Sequence, residues 1–228
     1  DGSTMSKSKG TGIDPLEIID QGYGADALRT YLMFAAPLEF NSRWDPNGVP
    51  GTYRFLNRLW NLVQEFVDSD SGETDKENTK DIARTTHKMI KKTTEDIEAN
   101  RYNTAIAASM ENVNELYKLR GDGIVQSQAW REALESAVAC IAPFAPHTAE
   151  ELWHQLGHSE SIHRGFWPKF DEVKIDTITI TIAVQINGKV KAEIVVSPDI
   201  EKDGAIAAAL VHEKISRILE DKKPTKTI

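Results

Sequence analysis

Two lysines lie among hydroxyl side chains and glycines in the stretch Thr4–Gly12. Lys7 and Lys9 alternate there with Ser6 and Ser8, and two glycines follow. Ammonium groups, hydroxyls and free backbone N–H groups are what polyphosphates bind in proteins. The composition fits a phosphate-binding loop, but it also fits a solvated N-terminal tail, so the choice between them depends on the segments that follow.

The histidines and the cysteine offer weaker chemistry. His154 and His158 have the i,i+4 spacing that can hold zinc, but no third ligand is evident and Gly157 ends the predicted helix between them. Cys140 is the single cysteine, which excludes an internal disulfide and a cysteine zinc site. We therefore expect no metal to be bound by this chain.

Composition restricts the class of protein. The 228 residues are 40% hydrophobic and 27% charged, with a net charge of −8. This length allows one large or two modest domains. No apolar run approaches 18 residues and no secretion signal is evident, so we expect a cytoplasmic protein without a membrane segment. The acidic balance argues against a wholly nucleic-acid-binding surface, but it allows a local basic stripe.

Apolar periodicity predicts a series of helices that form an antiparallel bundle. The first is a short helix capped by Asp14 and Pro15. In the helix that opens near Asp26, Leu28 and Leu32 should face inward, and Asp26 should pair with Arg29 on the surface. The predicted helices span residues 15–20, 27–36, 51–68, 79–98, 103–120, 127–141 and 148–156.

The last helix of the bundle has two end signals. Thr148 and Glu151 have the spacing of a capping box, and Gly157 stands where a helix commonly stops. We expect His147 to help close the start of this helix rather than to act as a base.

The pattern changes to a period of two after residue 170. Residues 177–186 and 190–196 alternate as two strands of a hairpin. A two-residue Asn187-Gly188 loop would put the apolar set of the second strand on the wrong face. We therefore predict a three-residue loop, Ile186–Gly188, that aligns Val184 with Val190. A helix over 203–219 and a strand start at 225–228 should complete a small α/β unit that looks truncated.

Several motifs in order along the chain resemble the class I aminoacyl-tRNA synthetases. Thr4–Gly10 resembles their KMSKS loop, with Thr4 in place of the first lysine. The segments Gly12–Pro15 and Tyr23–Arg29 resemble the region after this loop in leucine enzymes. Further matches are Met33-Phe34, Pro37, Trp44, Gly48-Val49, Arg54–Leu56, Ala142–His147, Glu150–Trp153, Trp167-Pro168 and Val184–Lys189. The last of these favours the leucine enzymes over the valine and isoleucine enzymes.

The resemblance implies a C-terminal piece of a larger enzyme, because the HIGH signature, the nucleotide-binding sheet and the editing domain are absent from the sequence. The implied fold is mainly α, an antiparallel helical bundle of the anticodon-binding type followed by a small, truncated α/β domain. The expected domains are 1–48 (KMSKS loop and supporting helices), 49–170 (anticodon-binding bundle) and 171–228 (C-terminal tRNA-binding domain).

The activity implied by the resemblance has two steps. Leucine and ATP give leucyl-adenylate and pyrophosphate, and the leucyl group then moves to tRNA(Leu). Lys7 is the expected catalytic residue, and the ATP-binding set is Met5, Ser6, Lys7, Ser8 and Lys9. Mg²⁺ is expected on the whole enzyme, while the isolated piece should be inactive. The alternatives are a valine or isoleucine enzyme, or a non-catalytic tRNA-binding helical module.

Basic residues on several elements are the candidate contacts for tRNA, since cations position nucleic acid through its phosphates. The expected partners are tRNA(Leu), leucine and ATP, with a monomeric chain. The candidate contacts are Arg54, Arg58, Arg84, Lys88, Lys91, Lys92, Arg101, Lys118, Arg120, Lys189 and Lys191.

Overall fold

A computed structural model of the chain describes residues 4–121, 123–175, 180–186, 188–196, 200 and 202–219. The chain forms two compact units, Asp1–Ile175 and Asp176–Ile228. The first unit is helical and the second contains the hairpin, which confirms the predicted mainly α fold with a small α/β part. The finer domain boundaries at 48/49 and 170/171 stay predictions.

The N-terminal part of the first unit is built from short helical pieces. A 3₁₀ turn, Lys7–Lys9, precedes α1 (Pro15–Ile18). The side chain of Asp14 accepts a hydrogen bond of 2.9 Å from the Leu16 N–H, and Pro15 occupies the first helical position, so the predicted cap is confirmed. A π-type segment, Ile19–Tyr23, then leads into α2 (Gly24–Phe34).

Five longer helices follow, as predicted. They are α3 (Gly48–Asp68), α4 (Lys76–Glu98), α5 (Tyr102–Leu119), α6 (Gln128–Ile141) and α7 (Pro146–Gln155), with the short α8 (Glu172–Ile175) after them. Both α3 and α4 begin three residues earlier than predicted. For α4 the reason is local, because the side chain of Asp75 accepts hydrogen bonds from the first turn at Glu77 and Asn78.

A continuous apolar core lies between these helices. Fully buried side chains from five of them meet there, among them Leu59, Ile82, Leu116, Leu134 and Leu152. Burying each such side chain contributes about 1.5–3 kcal/mol of stability relative to exposing it. The periodicity of the sequence thus identified the core faces of most of the bundle.

One apolar residue predicted to face inward does not, since Leu32 is 59% exposed. Helix α2 buries the face that carries Ala27, Leu28 and Tyr31, and Leu32 lies beyond the edge of that face. Three or four apolar residues on a helix determine its approximate buried side only, so this edge position was assigned wrongly.

The start of α7 also differs from the prediction. The helix begins at Pro146, so Thr148 is its third residue and not its cap, and the predicted capping box is wrong. The Thr148 N–H instead donates to the carboxylate of Asp26 in α2, at 2.7 Å. The far end agrees with the sequence, since Gly157 follows the cap with a φ of 98°.

The second unit contains strands β1 (Ile180–Ile186) and β2 (Lys189–Val196), paired antiparallel. Ile186 pairs with Lys189, so the connection has two residues and the predicted three-residue loop is wrong. Gly188 has a φ of 74°, as the prediction required, whereas Asn187 lies outside the described residues.

A β-bulge accounts for the error in the loop. Gln185 pairs with Val190 and Val184 pairs with Ala192, so Lys191 is an extra residue in β2. The bulge shifts the alternation by one residue, and beyond it Ile182 lies opposite Ile194, which is buried. To keep the apolar side chains of both strands on one face, the hairpin needs one extra residue, as predicted. This residue lies in the strand and not in the turn.

The helical region after the hairpin is divided. Helices α9 (Lys202–Val211) and α10 (Glu213–Leu219) are separated at His212, whose Nδ1 accepts a hydrogen bond of 3.3 Å from the Lys214 N–H. The prediction of one helix over 203–219 is therefore wrong. Ile215 is buried as expected, while Leu210 is 37% exposed. The strand predicted at 225–228 lies outside the described residues.

Candidate functional site

The lysine and serine loop closes on itself through backbone hydrogen bonds. The N–H groups of Lys9 and Thr11 both donate to the carbonyl of Ser6, at 3.3 and 3.1 Å. The Ser6 N–H in turn donates to the hydroxyl of Thr11, at 2.9 Å. Gly10 closes the turn with a φ of 64°, a conformation that favours glycine. Thr11 is thus the residue that holds the loop closed.

The loop places its polar groups close together. The hydroxyls of Ser6 and Ser8 are 3.0 Å apart, and Lys9 is exposed beside them. Met5 is also exposed, at 47%. The backbone of Lys7 lies within the 3₁₀ turn, while its side chain lies outside what the structure describes. Two adjacent hydroxyls and an ammonium group are donors that one anionic group could share.

A buried carboxylate connects the helix after the loop to the helical bundle. Asp26 is 7% exposed, and its oxygens accept hydrogen bonds from the Thr148 N–H at 2.7 Å and from Arg29 at 2.9 Å. The Nδ1 atom of His147 lies 3.1 Å from the same carboxylate. The predicted Asp26–Arg29 pair is confirmed, but Asp26 is buried and does not lie on the surface as predicted. His147 lies in the first turn of α7 as expected. The sequence could not show that Asp26 caps a helix that begins 120 positions later.

Two of the predicted tRNA contacts stack on one tyrosine between α3 and α5. The Cζ of Arg58 lies 4.3 Å from the ring centre of Tyr117, and that of Arg120 lies 5.3 Å from it. Arg58 also donates to Asn114, and Arg120 pairs with Glu65 at 2.7 Å. Such cation–π contacts hold the guanidinium planes in place at the surface.

Two further candidates pair with a buried carboxylate. Asp96 at the end of α4 is fully buried, with Lys92 at 2.5 Å and Arg101 at 2.8 Å. Burial would raise the pKa of Asp96, but hydrogen bonds from Lys92, Thr104 and Arg101 outweigh it and lower the pKa. Lys92 and Arg101 therefore neutralise a buried charge, and less of their own charge is available to a ligand.

The other candidates on α4 divide into paired and unpaired cations. Arg84 pairs with Asp81 at 2.8 Å, and Lys91 pairs with Glu172 at 2.7 Å. Lys88 is exposed and makes no ion pair with another described residue. Among the predicted tRNA contacts on α4, Lys88 therefore has the most available charge.

On the remaining elements, Arg54 of α3 is likewise exposed and forms no ion pair within the described ranges. Lys118 pairs with Glu115 at 2.7 Å. In the second unit, Lys189 is exposed and Lys191 occupies the bulge. The contacts predicted from sequence thus differ in how much of their charge is free.

The two histidines with zinc spacing have other partners. The Nε2 atom of His158 lies 2.9 Å from Glu135, and its ring stacks flat on Trp153 with the ring centres 3.7 Å apart. His154 lies 3.3 Å from Glu150. Among the residues that the structure describes, no cluster of three or more potential metal ligands occurs. None of the helices in the described ranges has the length and apolar character that crossing a membrane requires.

Family comparisons agree with this arrangement. A family model described as the anticodon-binding domain of tRNA ligase matches residues 79–206, more than half of the chain. The chain belongs to this tRNA-ligase family. A second model, for class I tRNA synthetases (I, L, M and V), matches residues 1–45, which carry the lysine and serine loop.

Individual relatives of this tRNA-ligase chain are leucine–tRNA ligases. Those of Herpetosiphon aurantiacus and Geobacter sp. are each 41% identical to it, and that of Deinococcus radiodurans is 37% identical, in every case over 100% of the chain. The chain spans 27–28% of the length of these curated relatives.

A solved structure with the same fold is the ternary complex of Agrobacterium radiobacter K84 agnB2 LeuRS with tRNA and LeuAMS. It matches with a TM-score of 0.70 and 29% identity, and covers 100% of this chain and 30% of that one.

Proposed function

We propose that this chain is the C-terminal part of a leucine–tRNA ligase, which activates leucine with ATP and transfers it to tRNA(Leu). The observation that carries the proposal is 41% identity to leucine–tRNA ligases over the whole chain. The proposed roles of the segments are those expected from sequence: the loop and its helices at 1–48, the RNA-binding bundle at 49–170 and a further RNA-binding domain at 171–228.

In this proposal the loop binds the phosphates of ATP. Negative charge develops on the α-phosphate and on leaving pyrophosphate during adenylate formation, and Lys7 would stabilise it. Ser6, Ser8 and Lys9 supply further donors, and Met5 supports the loop. Removing one such preorganised donor typically costs about 3–4 kcal/mol of transition-state stabilisation. The adjacent hydroxyls of Ser6 and Ser8 support this role.

The proposal assigns no resident metal to this chain, and the described residues hold no cluster of three or more potential ligands. Any Mg²⁺ that accompanies ATP would take its ligands from the nucleotide or from elsewhere in the enzyme. No step of the proposed role depends on it.

The bundle in this proposal holds tRNA(Leu) through its phosphates. Arg54 and Lys88 are the leading contacts, because each is exposed and makes no ion pair with a described residue. Arg58 and Arg120 present preorganised guanidinium planes around Tyr117. The cations that already pair with carboxylates, together with Lys189 and Lys191, complete the proposed surface. We further propose a monomeric enzyme in the cytoplasm.

Binding of a tRNA(Leu) transcript by the chain tests the RNA-binding part of the proposal. Affinity should fall steeply between low and physiological salt, because phosphate contacts release counterions. An affinity that does not change with salt would contradict a phosphate-binding surface.

Charging by the full-length enzyme that contains this chain tests the amino acid. It should attach leucine and not valine or isoleucine to tRNA. The chain by itself should show no leucine-dependent pyrophosphate exchange, and detectable exchange would contradict the proposed division of the ATP site.

A further inference from the structure

A cavity of about 250 Å³ lies within the first unit, where the starts of α2 and α7 meet one face of α3. Its lining from α3 consists of Tyr53, Leu56, Asn57 and Trp60. Tyr53, Asn57 and Trp60 are spaced i, i+4 and i+7, so they lie in one row along the helix. None of the roles proposed above uses this cavity.

The walls of the cavity are mainly aromatic and apolar. Tyr23 meets Tyr53 edge to face, with the ring centres 5.5 Å apart and the planes at 74°. Leu56 is 5% exposed and closes the inner side, while Tyr53 is 36% exposed at the rim. A flat aromatic ligand could therefore enter from solvent and stack on a ring that is already held in place.

Asn57 carries a polar group of the cavity that is available to a ligand. Asn57 is exposed, and its carboxamide makes no hydrogen bond with another described residue. A carboxamide pairs a donor with an acceptor, which matches the hydrogen-bonding edge of a nucleobase. The carboxylate of Asp26 also lines the cavity, but its oxygens already accept hydrogen bonds from Thr148 and Arg29.

The size limits the ligand to one small ring system. Sites for drug-sized molecules usually measure about 300–1,000 Å³, and this cavity is below that range. A neutral, flat heterocycle with a hydrogen-bonding edge fits the volume, the aromatic walls and the free carboxamide together. A nucleobase has all of these properties.

A cation near the cavity indicates where the base comes from, because Arg54 and Asn57 are neighbours at i and i+3 on α3. Arg54 follows Tyr53 in α3, is exposed, and forms no ion pair in the part of the chain that the structure describes. We propose that the cavity binds one unpaired base of an RNA strand whose phosphate lies at Arg54. This inference rests on the proposed function, in which the bundle binds tRNA, and adds a base-stacking site to its phosphate contacts.

The test measures the affinity of the 228-residue chain for a fluorescently labelled tRNA(Leu) transcript by anisotropy. Tyr53→Ala should weaken binding by about 5- to 100-fold, the range for losing one stacked base. Tyr53→Phe keeps the ring and should bind within about twofold of the wild type. Thermal melting of each variant shows whether it remains folded.

A second pair of variants keeps the test valid if Tyr53→Ala unfolds. Asn57→Ala should weaken binding by about 2- to 10-fold, the range for one hydrogen bond. Asn61→Ala is the matched control, because Asn61 is an exposed asparagine of the same helix that does not line the cavity. Its affinity should not change. The salt dependence of Tyr53→Ala and Asn57→Ala should equal that of the wild type, since neither loses a phosphate contact.

Three other outcomes would refute the base site, its RNA source, or the proposed function together with the base site. If tRNA binds with steep salt dependence but Tyr53→Ala and Asn57→Ala bind like the wild type, the base site is refuted and the proposed function stands. If free AMP binds in a manner that requires Tyr53 while the tRNA affinity of Tyr53→Ala is unchanged, the ligand is a free nucleotide and the RNA source is refuted. If no tRNA binds at any salt concentration, both the proposed function and the base site are refuted.

Discussion

Replacing Asp96 by Asn should destabilise the helical unit more than any exposed carboxylate replacement. Asp96 is fully buried and accepts from Lys92 at 2.5 Å and from Arg101 at 2.8 Å. The amide has nearly the same shape but no charge, so both ion pairs are lost, and its NH2 group faces a donor N–H of either Lys92 or Arg101. The buried site then holds an imperfectly satisfied amide.

The magnitude follows from those two contacts. Hydrogen bonds to charged groups contribute about 1.5–3 kcal/mol each, but Lys92 and Arg101 are 49% and 55% exposed. Solvent screening at such exposure reduces each contribution by roughly half. We therefore expect Asp96→Asn to lower the free energy of unfolding by about 2 kcal/mol, or the melting temperature by about 4–8 °C for a unit of this size.

Thermal melting at neutral pH checks the expectation, with Glu115→Gln as the matched control. Glu115 pairs with Lys118 at 2.7 Å on the neighbouring helix, but both side chains are largely exposed, so its loss should shift stability by less than about 0.5 kcal/mol. Equal melting temperatures for the two variants would refute the reasoning.

The pH dependence provides a second check on Asp96. Its pKa is lowered in the folded chain, so the stability it contributes is present above the unfolded value of 3.8 and is lost as the pH falls through the folded pKa. The difference in unfolding free energy between the wild type and Asp96→Asn should therefore shrink in strong acid. A difference that does not change with pH would show that the charge of Asp96 does not stabilise the fold.

Three further expectations concern binding, pH and reactivity. Arg54→Gln should reduce the slope of log affinity against log salt concentration for tRNA binding by about one. Arg101→Gln should reduce this slope less, because Arg101 is paired with Asp96. Equal slopes for the two variants would contradict this. Burial and Lys174 lower the pKa of His87, so the wild type should lose stability as the pH falls below 6.5, and His87→Gln should lose less in the same titration. Burial raises the pKa of Cys140 to about 12, so a thiol reagent at pH 8 should label it only in urea, and labelling of the native chain would show that the core opens.

Local patterns predicted most of the helical bundle, because burial of one face imposes the 3.6-residue period directly on the sequence. The period shows which side of a helix is buried, but not how far that side extends, and Leu32 was assigned wrongly for this reason. The Asp14 cap was also predictable, since its hydrogen bond reaches only two residues along the chain.

Contacts between distant segments were not predictable from one sequence. The cap of α7 comes from Asp26 in α2, and the chain near Thr148 carried a capping-box pattern that the helix does not use. No distinctive residue marks the bulge at Lys191. The alternation of apolar residues shows only that one extra residue is present, and not where it lies. The partners of the basic residues, such as Glu65 for Arg120, likewise required the packed helices.

Residue types alone fitted either a phosphate-binding loop or a solvated tail, and they did not show the hydrogen bond between Ser6 and Thr11. The Thr11 hydroxyl meets the Ser6 N–H only because the chain turns between them, and the sequence alone does not show that turn. The role of Lys7 in ATP binding remains a prediction, and it is the claim on which the proposed activity depends.

The most direct test of that claim compares Lys7→Ala with Lys88→Ala in the full-length enzyme that contains this chain. Lys7→Ala should reduce leucine-dependent pyrophosphate exchange by about 100- to 1,000-fold, with tRNA affinity within about twofold of the wild type. Lys88→Ala, a lysine of the bundle surface, should weaken tRNA binding and leave exchange unchanged. Exchange by Lys7→Ala at the wild-type rate would contradict the assignment of the loop to ATP.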